Sequence, residues 1–417
     1  MIKVAFTTLG CKVNWADTEF LRQSCQLAGF EIVSFESAAE AYVINTCAVT
    51  QIADRQSRQM VRRAKARNPN ATIIAVGCSC EIARSSFGEM KEVDAVFGTS
   101  DRNDAVGYLL KRFCAKSHLG GAVSSGQSRA RAFLKIQDGC DRGCAYCIVP
   151  SARGRSVSVA FDDVIKKARE LSHHHREIIL TGVDIGQYNS KGRNLEDLVD
   201  VLTSDNSVSR VRITSIDPSL MSERMLSFFS RKDRLCRHVH LSMQSLSDKI
   251  IERMGRSYRS REVELLIKKL GSLVPGIAIT GDLIAGFPGE SDSDHLFTAS
   301  LLKKLPMAGL HVFPFSARKG TRACSMEGFL DSRVIKARAF ELRDIAKKLR
   351  GRYLESQKGM VVDAIVTSDE GDIKKEVEAF SDNAISISLP KGTVKYGAMA
   401  PVRIDFVSEK KVRGTWC

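Results

Sequence analysis

Short apolar runs alternate with helix-spaced patterns along the first ~110 residues. The runs Lys3 to Leu9, Ala41 to Asn45 and Ala71 to Val76 read as strands, and Ala16 to Ala28 and Gln51 to Ala66 read as helices between them. Strand–helix alternation predicts a Rossmann-like parallel α/β domain with right-handed crossovers. Each run leads into a cysteine: Cys11, Cys47 and Cys78, separated by 36 and 31 residues. In a parallel sheet the C-terminal strand ends share one edge, where ligands gather. A single such cysteine would be a small buried hydrophobe. Three at equivalent strand ends point to a shared metal site. Cys80 is a weaker competitor, because it lies two residues past the third strand end.

From Ala132 to about Phe315 the strand-like runs are FLKIQ, EIILTG, RVRITSI, HVHLSMQS, IAITGDLIAGF and LHVFPFS. Six βα repeats over about 185 residues predict a partial (β/α) barrel, with its active site at the C-terminal strand ends. Asp331 to Leu354 reads as one amphipathic helix capped by Asp331, with Ile335, Leu342, Ile345, Leu349 and Tyr353 as its core stripe. Past Gly359 the runs MVVDAIVT, EVEAFS, AISISLP and PVRIDFVSE predict a small all-β unit, a compact barrel. The expected organisation is an α/β multidomain chain. It comprises a domain over 1–114, a Gly/Ser-rich linker over 115–130, the partial barrel over 131–355 and the β-barrel over 356–417.

Composition narrows the function classes. No signal peptide and no apolar run of the ~18 residues needed to span a bilayer are evident, so a cytoplasmic protein without a membrane partner is expected. Twelve cysteines then favour metal or redox chemistry over a disulfide scaffold. The net charge of +15 favours a polyanionic partner. Residues 111–135 carry six basic and no acidic side chains. Arg55, Arg58, Arg62, Arg63, Lys65 and Arg67 form a second basic cluster, which a solvated helix face would also explain. The helix Asp331 to Leu354 adds Arg333, Lys336, Arg338, Arg343, Lys347, Lys348 and Arg350. The stretch 356–417 has nine basic and nine acidic residues and so contributes no net charge.

The sharpest signal is the run GCDRGCAYCIVPSARGRS, in which Cys140, Cys144 and Cys147 are spaced C-x3-C-x2-C. Three thiolates on one loop hold three irons of a four-iron–four-sulfur cluster and leave the fourth open to a small molecule. The alternative, a zinc knuckle, needs a fourth ligand nearby. The next histidines, His173 to His175, come 26 residues later in what reads as a basic helix end.

With both cysteine sets placed, the chain resembles the methylthiotransferase family of radical S-adenosylmethionine (SAM) enzymes. The motifs that carry the resemblance are TLGCKVN, VINTCAVT, VGC, the cysteine loop with Tyr146 before its third cysteine, ITSIDP, HLSMQSLSD, AGFPGE and HVFPFSARKGT. The resemblance implies an N-terminal cluster domain, a central radical SAM barrel and a C-terminal TRAM β-barrel. It implies two 4Fe-4S clusters, one on Cys140, Cys144 and Cys147 that cleaves SAM to a 5′-deoxyadenosyl radical, and one on Cys11, Cys47 and Cys78 that delivers sulfur. A second SAM would give the methyl group.

Toward SAM the resemblance points to Thr181, Gly182, Ser215, Asp217, Gln244 and the turn from Gly286 to Glu290, although GFPGE also reads as a structural turn. Arg153 and Arg155 are candidates to neutralise the SAM carboxylate or a phosphate, or are surface residues. CKVN, LTGVDIGQY and FSARKGT resemble the branch acting on N6-threonylcarbamoyladenosine in tRNA, with Lys12 and Asn14 as candidate partners of the substrate carboxylate. Implied partners are that tRNA, an electron donor such as flavodoxin or ferredoxin, and a sulfur donor. Ser151 stands where the tRNA-modifying branches usually have tyrosine, Cys80 where cysteine is unusual, and the terminal barrel is short and uncharged overall. Methylthiolation of another tRNA nucleoside or a ribosomal protein, and a non-catalytic metal-stabilised RNA-binding protein, are the competing readings.

Overall fold

The computed structural model describes residues 1–113, 130–231, 234–368, 376–390, 394–409 and 411–417. The expected linker over 115–130 lies, except for Ala130, outside the described residues. The chain divides into two compact units. The first comprises Met1–Ser125, Gln137–Val157 and Ser316–Cys324, and the second comprises Gly126–Ile136, Ser158–Phe315 and Ser325–Cys417.

In the first unit, strands β1 (Lys3–Thr8), β2 (Glu31–Val33), β3 (Ala41–Thr46), β4 (Thr72–Gly77) and β5 (Ala95–Phe97) form one sheet in the order β2-β1-β3-β4-β5. Every pairing is parallel. The three expected strands are the adjacent central ones. β3 and β4 are buried throughout, and both faces of the sheet carry apolar cores. Alternation decides which face each residue serves: Val43 packs with Val4 and Ile74, whereas Tyr42 and Ile44 pack with Ile73 and Phe87. The edge strands β2 and β5 have three residues each, too few to carry a readable pattern. Helix α1 (Lys12–Leu27) follows β1. Helix α2 (Gln51–Arg67) follows β3 and is capped by Thr50, whose hydroxyl accepts from the Ala53 amide at 3.1 Å.

Most of the basic cluster on α2 serves the fold. Arg58 stacks on Phe87 and donates to the Ser86 carbonyl at 3.1 Å. Arg63 and Arg67 both pair with Glu36, and Lys65 donates to the Ala71 carbonyl at 3.0 Å. Arg55 and Arg62 remain exposed.

All six expected runs of the second unit are strands, and every pairing among them is parallel. Strands Arg131–Lys135, Glu177–Thr181 and Arg210–Ile213 form one sheet. Ser215–Ile216, His238–Gln244, Ala278–Ala285 and Gly309–Pro314 form the next. The run RVRITSI breaks at Thr214, so its two halves belong to different sheets. One continuous core lies on the helical side of both, from Ile178 and Val211 to Leu283 and Leu349.

The helix Ser332–Ser356 is capped by Asp331, which accepts from the Arg333 amide at 2.7 Å. Leu342, Ile345, Leu349 and Tyr353 are buried as expected, and Ile335 is half-buried. Arg338 departs from the expected surface role: it is buried and pairs with Glu290 at 2.7 Å.

The terminal segment is a closed barrel with the strand order Val361–Ser368, Glu376–Ser381, Ser386–Pro390, Val412–Trp416, Met399–Val407. Its last strand in sequence was not foreseen, because VRGTW interleaves polar residues and a glycine. A buried charge cluster joins this barrel to the parallel sheets of the same unit. Glu177, fully buried, pairs with Arg210 at 2.6 Å and Arg212 at 2.8 Å. Arg210 also donates to the carbonyls of Asp363 and Phe380, and Arg212 to those of Ser381 and Asp382.

Candidate functional site

One cysteine site is built by the ends of the central strands of the first unit. Cys11 follows β1 and caps α1 in an extended conformation, Cys47 directly follows β3, and Cys78 follows β4 and opens the short helix Cys78–Ile82. Asn14, in the first turn of α1 and fully buried, sits among them. Its Nδ2 donates to the carbonyls of Leu9 at 2.8 Å and Thr46 at 3.0 Å. This leaves Oδ1 at 3.7 Å from the Cys78 sulfur and 4.0 Å from that of Cys11. Cys47 closes the group from the other side: a Cβ added to Gly10 would lie 2.6 Å from its sulfur.

The three strand-end thiols therefore converge. Cys80, by contrast, is buried in the core with Ile44, Ile73 and Phe87. Asn14, with both ends of its amide engaged inside the fold, is not placed to meet a substrate carboxylate. Lys12 is exposed.

Gly10 has a φ of +93°, so a side chain there would be both strained and obstructed. Gly10→Ala is expected to cost at least the roughly 1–3 kcal/mol of such backbone strain and to displace Cys47. Gly143, at φ +57°, has open space around it and should show the strain alone. Thermal unfolding of the two variants checks the order; equal shifts would contradict the close approach to Cys47.

Cys140, Cys144 and Cys147 are half-buried on a loop that the same unit holds in shape. The Arg142 amide lies 3.5 Å from the Cys140 sulfur, and the Cys147 amide donates to the Cys144 carbonyl at 3.1 Å. From the segment 316–324, Arg322 donates to the Gly143 carbonyl and the Ala323 amide to the Ala145 carbonyl, at 2.7 and 2.8 Å. A backbone amide aimed at sulfur favours the thiolate, the form that binds iron.

The loop runs into the helix Val149–Arg153, which packs against the other cysteine set: Ile148 and Ala152 share an apolar cluster with Ala48 and Cys78. The Thr99 hydroxyl fixes this helix by donating to the Ala152 carbonyl. Arg153, its side chain 2 % exposed, reaches from there to Asn14 Oδ1 at 2.6 Å, Asp17 at 2.9 Å and Asp138 at 2.8 Å. It is therefore not placed to meet SAM or a phosphate. Arg155 is exposed and pairs with Asp141.

Burial pushes the Cys47 thiol up and that of Cys78 to about 12, with the charge of Arg153 opposing both shifts. Such thiols stay protonated at neutral pH until a strong Lewis acid takes the proton's place, which suits the donor set to iron. Among the described residues, no three His, Cys, Asp or Glu side chains are drawn in to the distances of a single metal ion. A cubane is larger than an ion and spreads its thiolate ligands more widely.

In the second unit the expected SAM contacts lie at or just beyond the C-terminal ends of parallel strands. Thr181 ends the strand Glu177–Thr181 and Gly182 follows it, and the buried Thr181 hydroxyl has no hydrogen-bond partner among the described residues. Ser215 begins the short strand beyond the break, and Gln244 ends its strand after a bulge at a φ of +62°. Two of the carboxylates are already engaged. Asp217 pairs with the buried Arg256 at 2.7 Å, and Glu290 binds Arg338 and accepts from the Gly286 amide at 3.2 Å. Helix Phe161–Ser172 ends at the histidine triplet, where His175 is buried.

Asp17 and Asp138 were not singled out in the sequence. Asp17 lies one helical turn beyond Asn14, a spacing that hinted at it.

Residues 3–98 match the uncharacterized protein family UPF0004, and residues 134–302 match the radical SAM superfamily. The threonylcarbamoyladenosine tRNA methylthiotransferase MtaB of Aquifex aeolicus is 34% identical over 397 residues, 90% of this chain and 97% of the relative. Its namesake in Bacillus subtilis is 35% identical over 412 residues, 94% of this chain and 91% of the relative. The chain belongs to the methylthiotransferase family of radical SAM enzymes.

A further relative, the tRNA-2-methylthio-N(6)-dimethylallyladenosine synthase of Methylacidiphilum infernorum, is 30% identical over 435 residues, 97% of this chain and 92% of its own. Among solved structures, the radical SAM methyltransferase TsrM of Kitasatospora setae superposes with a TM-score of 0.54 at 14% identity, over 75% of this chain and 76% of its own. That likeness concerns the fold. Membership makes the chain an enzyme that transfers sulfur-containing groups with SAM and a 4Fe-4S cluster. Among the described residues, no helix is long and apolar enough to cross a membrane.

Proposed function

We propose that this enzyme replaces the C2 hydrogen of N6-threonylcarbamoyladenosine, beside the tRNA anticodon, with a methylthio group. One observation carries the reading: both cysteine triplets belong to one compact unit, joined by Arg153 and Asn14. In it Cys140, Cys144 and Cys147 hold one 4Fe-4S cluster, and Cys11, Cys47 and Cys78 hold a second. Carbon 2 of adenine is unactivated, and a SAM-derived radical, with sulfur brought by the second cluster, is the chemistry these groups supply when bound. The amide of Arg142 favours the Cys140 thiolate, Asn14 spaces the thiols of Cys11 and Cys78, and Thr181, Gly182, Ser215, Asp217, Gln244, Gly286 and Glu290 are the residues that would shape a SAM pocket.

The relatives named for threonylcarbamoyladenosine, at 34% and 35% identity, support that nucleoside over the dimethylallyl one, named for a relative at 30%. Flavodoxin or ferredoxin is the fitting electron donor, a separate sulfur donor would supply the sulfur, and a tRNA substrate fits a cytoplasmic enzyme. Exposed Arg55 and Arg62 are candidates for phosphate contact.

Nucleosides of tRNA from cells lacking the gene provide the test. By mass spectrometry the 2-methylthio derivative of threonylcarbamoyladenosine should vanish, its precursor should accumulate, and the gene should restore the product. The substrate carboxylate calls for a charge-assisted partner contributing about 1.5–3 kcal/mol, so tRNA with unmodified adenosine should be a markedly poorer substrate in vitro. Loss of the methylthiolated isopentenyl nucleoside instead, or unchanged tRNA, rejects the nucleoside assignment.

A further inference from the structure

We infer that Arg153, supplied by the loop of one cysteine triplet, sets the reduction potential of the cluster held by the other. The inference rests on the reading that Cys11, Cys47 and Cys78 hold a cluster, and it concerns what surrounds those ligands.

Arg153 lies six residues past Cys147, yet its guanidinium is inserted beside the strand-end thiols. Its Nη1 donates to Asp138 at 2.8 Å and its Nη2 to Asn14 and Asp17 at 2.6 and 2.9 Å. Nε is buried and has no hydrogen-bond partner among the described residues. Asn14 offers the thiols only its oxygen, at 3.7 and 4.0 Å from the sulfurs of Cys78 and Cys11, because its amide nitrogen is committed to two carbonyls. An oxygen lone pair facing a thiolate is unfavourable, and Arg153 behind that oxygen is the cation that offsets it.

Arg153 shares its two aspartates with a second arginine. Arg102 lies 3.5 Å from Asp17 and 3.7 Å from Asp138, so two arginines face two aspartates. Arg318 adds a cation toward Cys47. Within the quartet Arg153 is the most deeply buried cation, at 2 % side-chain exposure against 20 % for Arg102. Its charge is therefore the least screened by water. Cluster potentials respond to net charge, hydrogen bonds to sulfur and solvent exposure. Reduction adds one negative charge to the cluster, so a fixed, buried cation beside it raises the potential, and an added anion lowers it.

The residue is also the terminus of a helix anchored on both sides, by Ile148 and Ala152 against Cys78 and by Thr99 on the Ala152 carbonyl. The loop that would hold the SAM cluster thus carries, on the same rigid turn, the cation that tunes its neighbour. Folding one site correctly places the charge of the other.

The test uses the full chain with Cys140, Cys144 and Cys147 replaced by alanine, so that only the strand-end cluster is present. It is titrated anaerobically with dithionite as the electron source and followed by electron paramagnetic resonance. Arg153→Gln should lower the reduced-to-oxidised ratio at a fixed potential at least tenfold, about 59 mV for a one-electron couple. Arg153→Lys, keeping the charge but losing the fork, should fall between this variant and the parent. Asp138→Asn, which leaves Arg153 in place and removes an opposing charge, should shift the ratio the other way. A purely structural arginine would change iron content without moving the potential of the cluster that remains.

Unmoved potentials in all three variants, with about four irons retained, overturn the inference alone. If Arg153→Gln fails to keep its cluster, the opposite signs expected for Arg153→Lys and Asp138→Asn decide. A parent that binds no iron at all overturns the cluster reading, and the inference with it.

Discussion

Replacing Cys11, Cys47 and Cys78 together with alanine is expected to abolish the methylthiolated product while leaving reductive SAM cleavage in place. Replacing Cys140, Cys144 and Cys147 should abolish both. The two triplets are held by different elements of one compact unit, which is why the effects should separate. The first is carried by the ends of β1, β3 and β4, and the second by a loop with its own backbone bonds and its own tether to Arg322 and Ala323. Alanine at Cys47 and Cys78 removes one buried sulfur each from well-packed positions, a modest change beside the loss of a ligand.

Iron should fall from about eight to about four per chain in either triple variant. Chromatography of 5′-deoxyadenosine reports SAM cleavage, and mass spectrometry of the nucleoside reports sulfur insertion. Loss of SAM cleavage in the strand-end variant would merge the two roles and refute their separation. The single variants sharpen the assignment: Cys80, packed against Phe87 in the core, should tolerate alanine far better than Cys78. If Cys80→Ala stopped insertion while Cys78→Ala did not, the ligand at the third strand end would be misassigned.

The parts of this molecule that were legible in the sequence are those governed by local periodicity. β1, β3 and β4, the six strand runs of the second unit and the helix Ser332–Ser356 all have long apolar runs or regular stripes. β2, β5 and the strand Val412–Trp416 escaped because three residues, or a polar-rich run, carry too little pattern. The convergence of Cys11, Cys47 and Cys78 followed from topology, since adjacent parallel strands bring their ends to one edge.

What surrounds them did not follow. Arg153 and Asp17 are 136 residues apart and meet only because the cysteine loop folds onto the N-terminal sheet. Charge runs misled in the same way. Arg58, Arg67 and Arg338 look like a polyanion surface in sequence, yet each finds an internal partner. Charge is a property of composition, whereas its use depends on contacts that no local pattern encodes.

Glu177→Ala should be the most destabilising single change outside the cysteine sites, by about 3–5 kcal/mol. The side chain is fully buried between Arg210 and Arg212, which are themselves 5 % and 4 % exposed, with Arg131 at 3.4 Å. Removing it leaves buried cations without a counter-charge, and those same cations hold the carbonyls of Asp363, Phe380, Ser381 and Asp382 in the terminal barrel. The barrel strands should therefore become the first part of the second unit to open. Limited proteolysis, alongside urea unfolding, would detect this as cleavage near residues 356–361. Glu177→Gln keeps the shape and loses the charge, so its cost should be smaller.

The pH dependence has a definite sign. Burial alone would raise the Glu177 carboxyl, but the charges of Arg212 and Arg210 overcome it and hold the group well below the usual carboxylate range. A depressed acid contributes its full stability above the unfolded value of about 4.3 and loses it as pH falls toward the folded value. The gap between the native protein and Glu177→Ala should thus stay constant from about pH 8 to pH 5 and shrink only in stronger acid. A gap that closed near pH 6 would assign the effect to a histidine, and the carboxylate–arginine cluster would then not be what holds the barrel to the sheets.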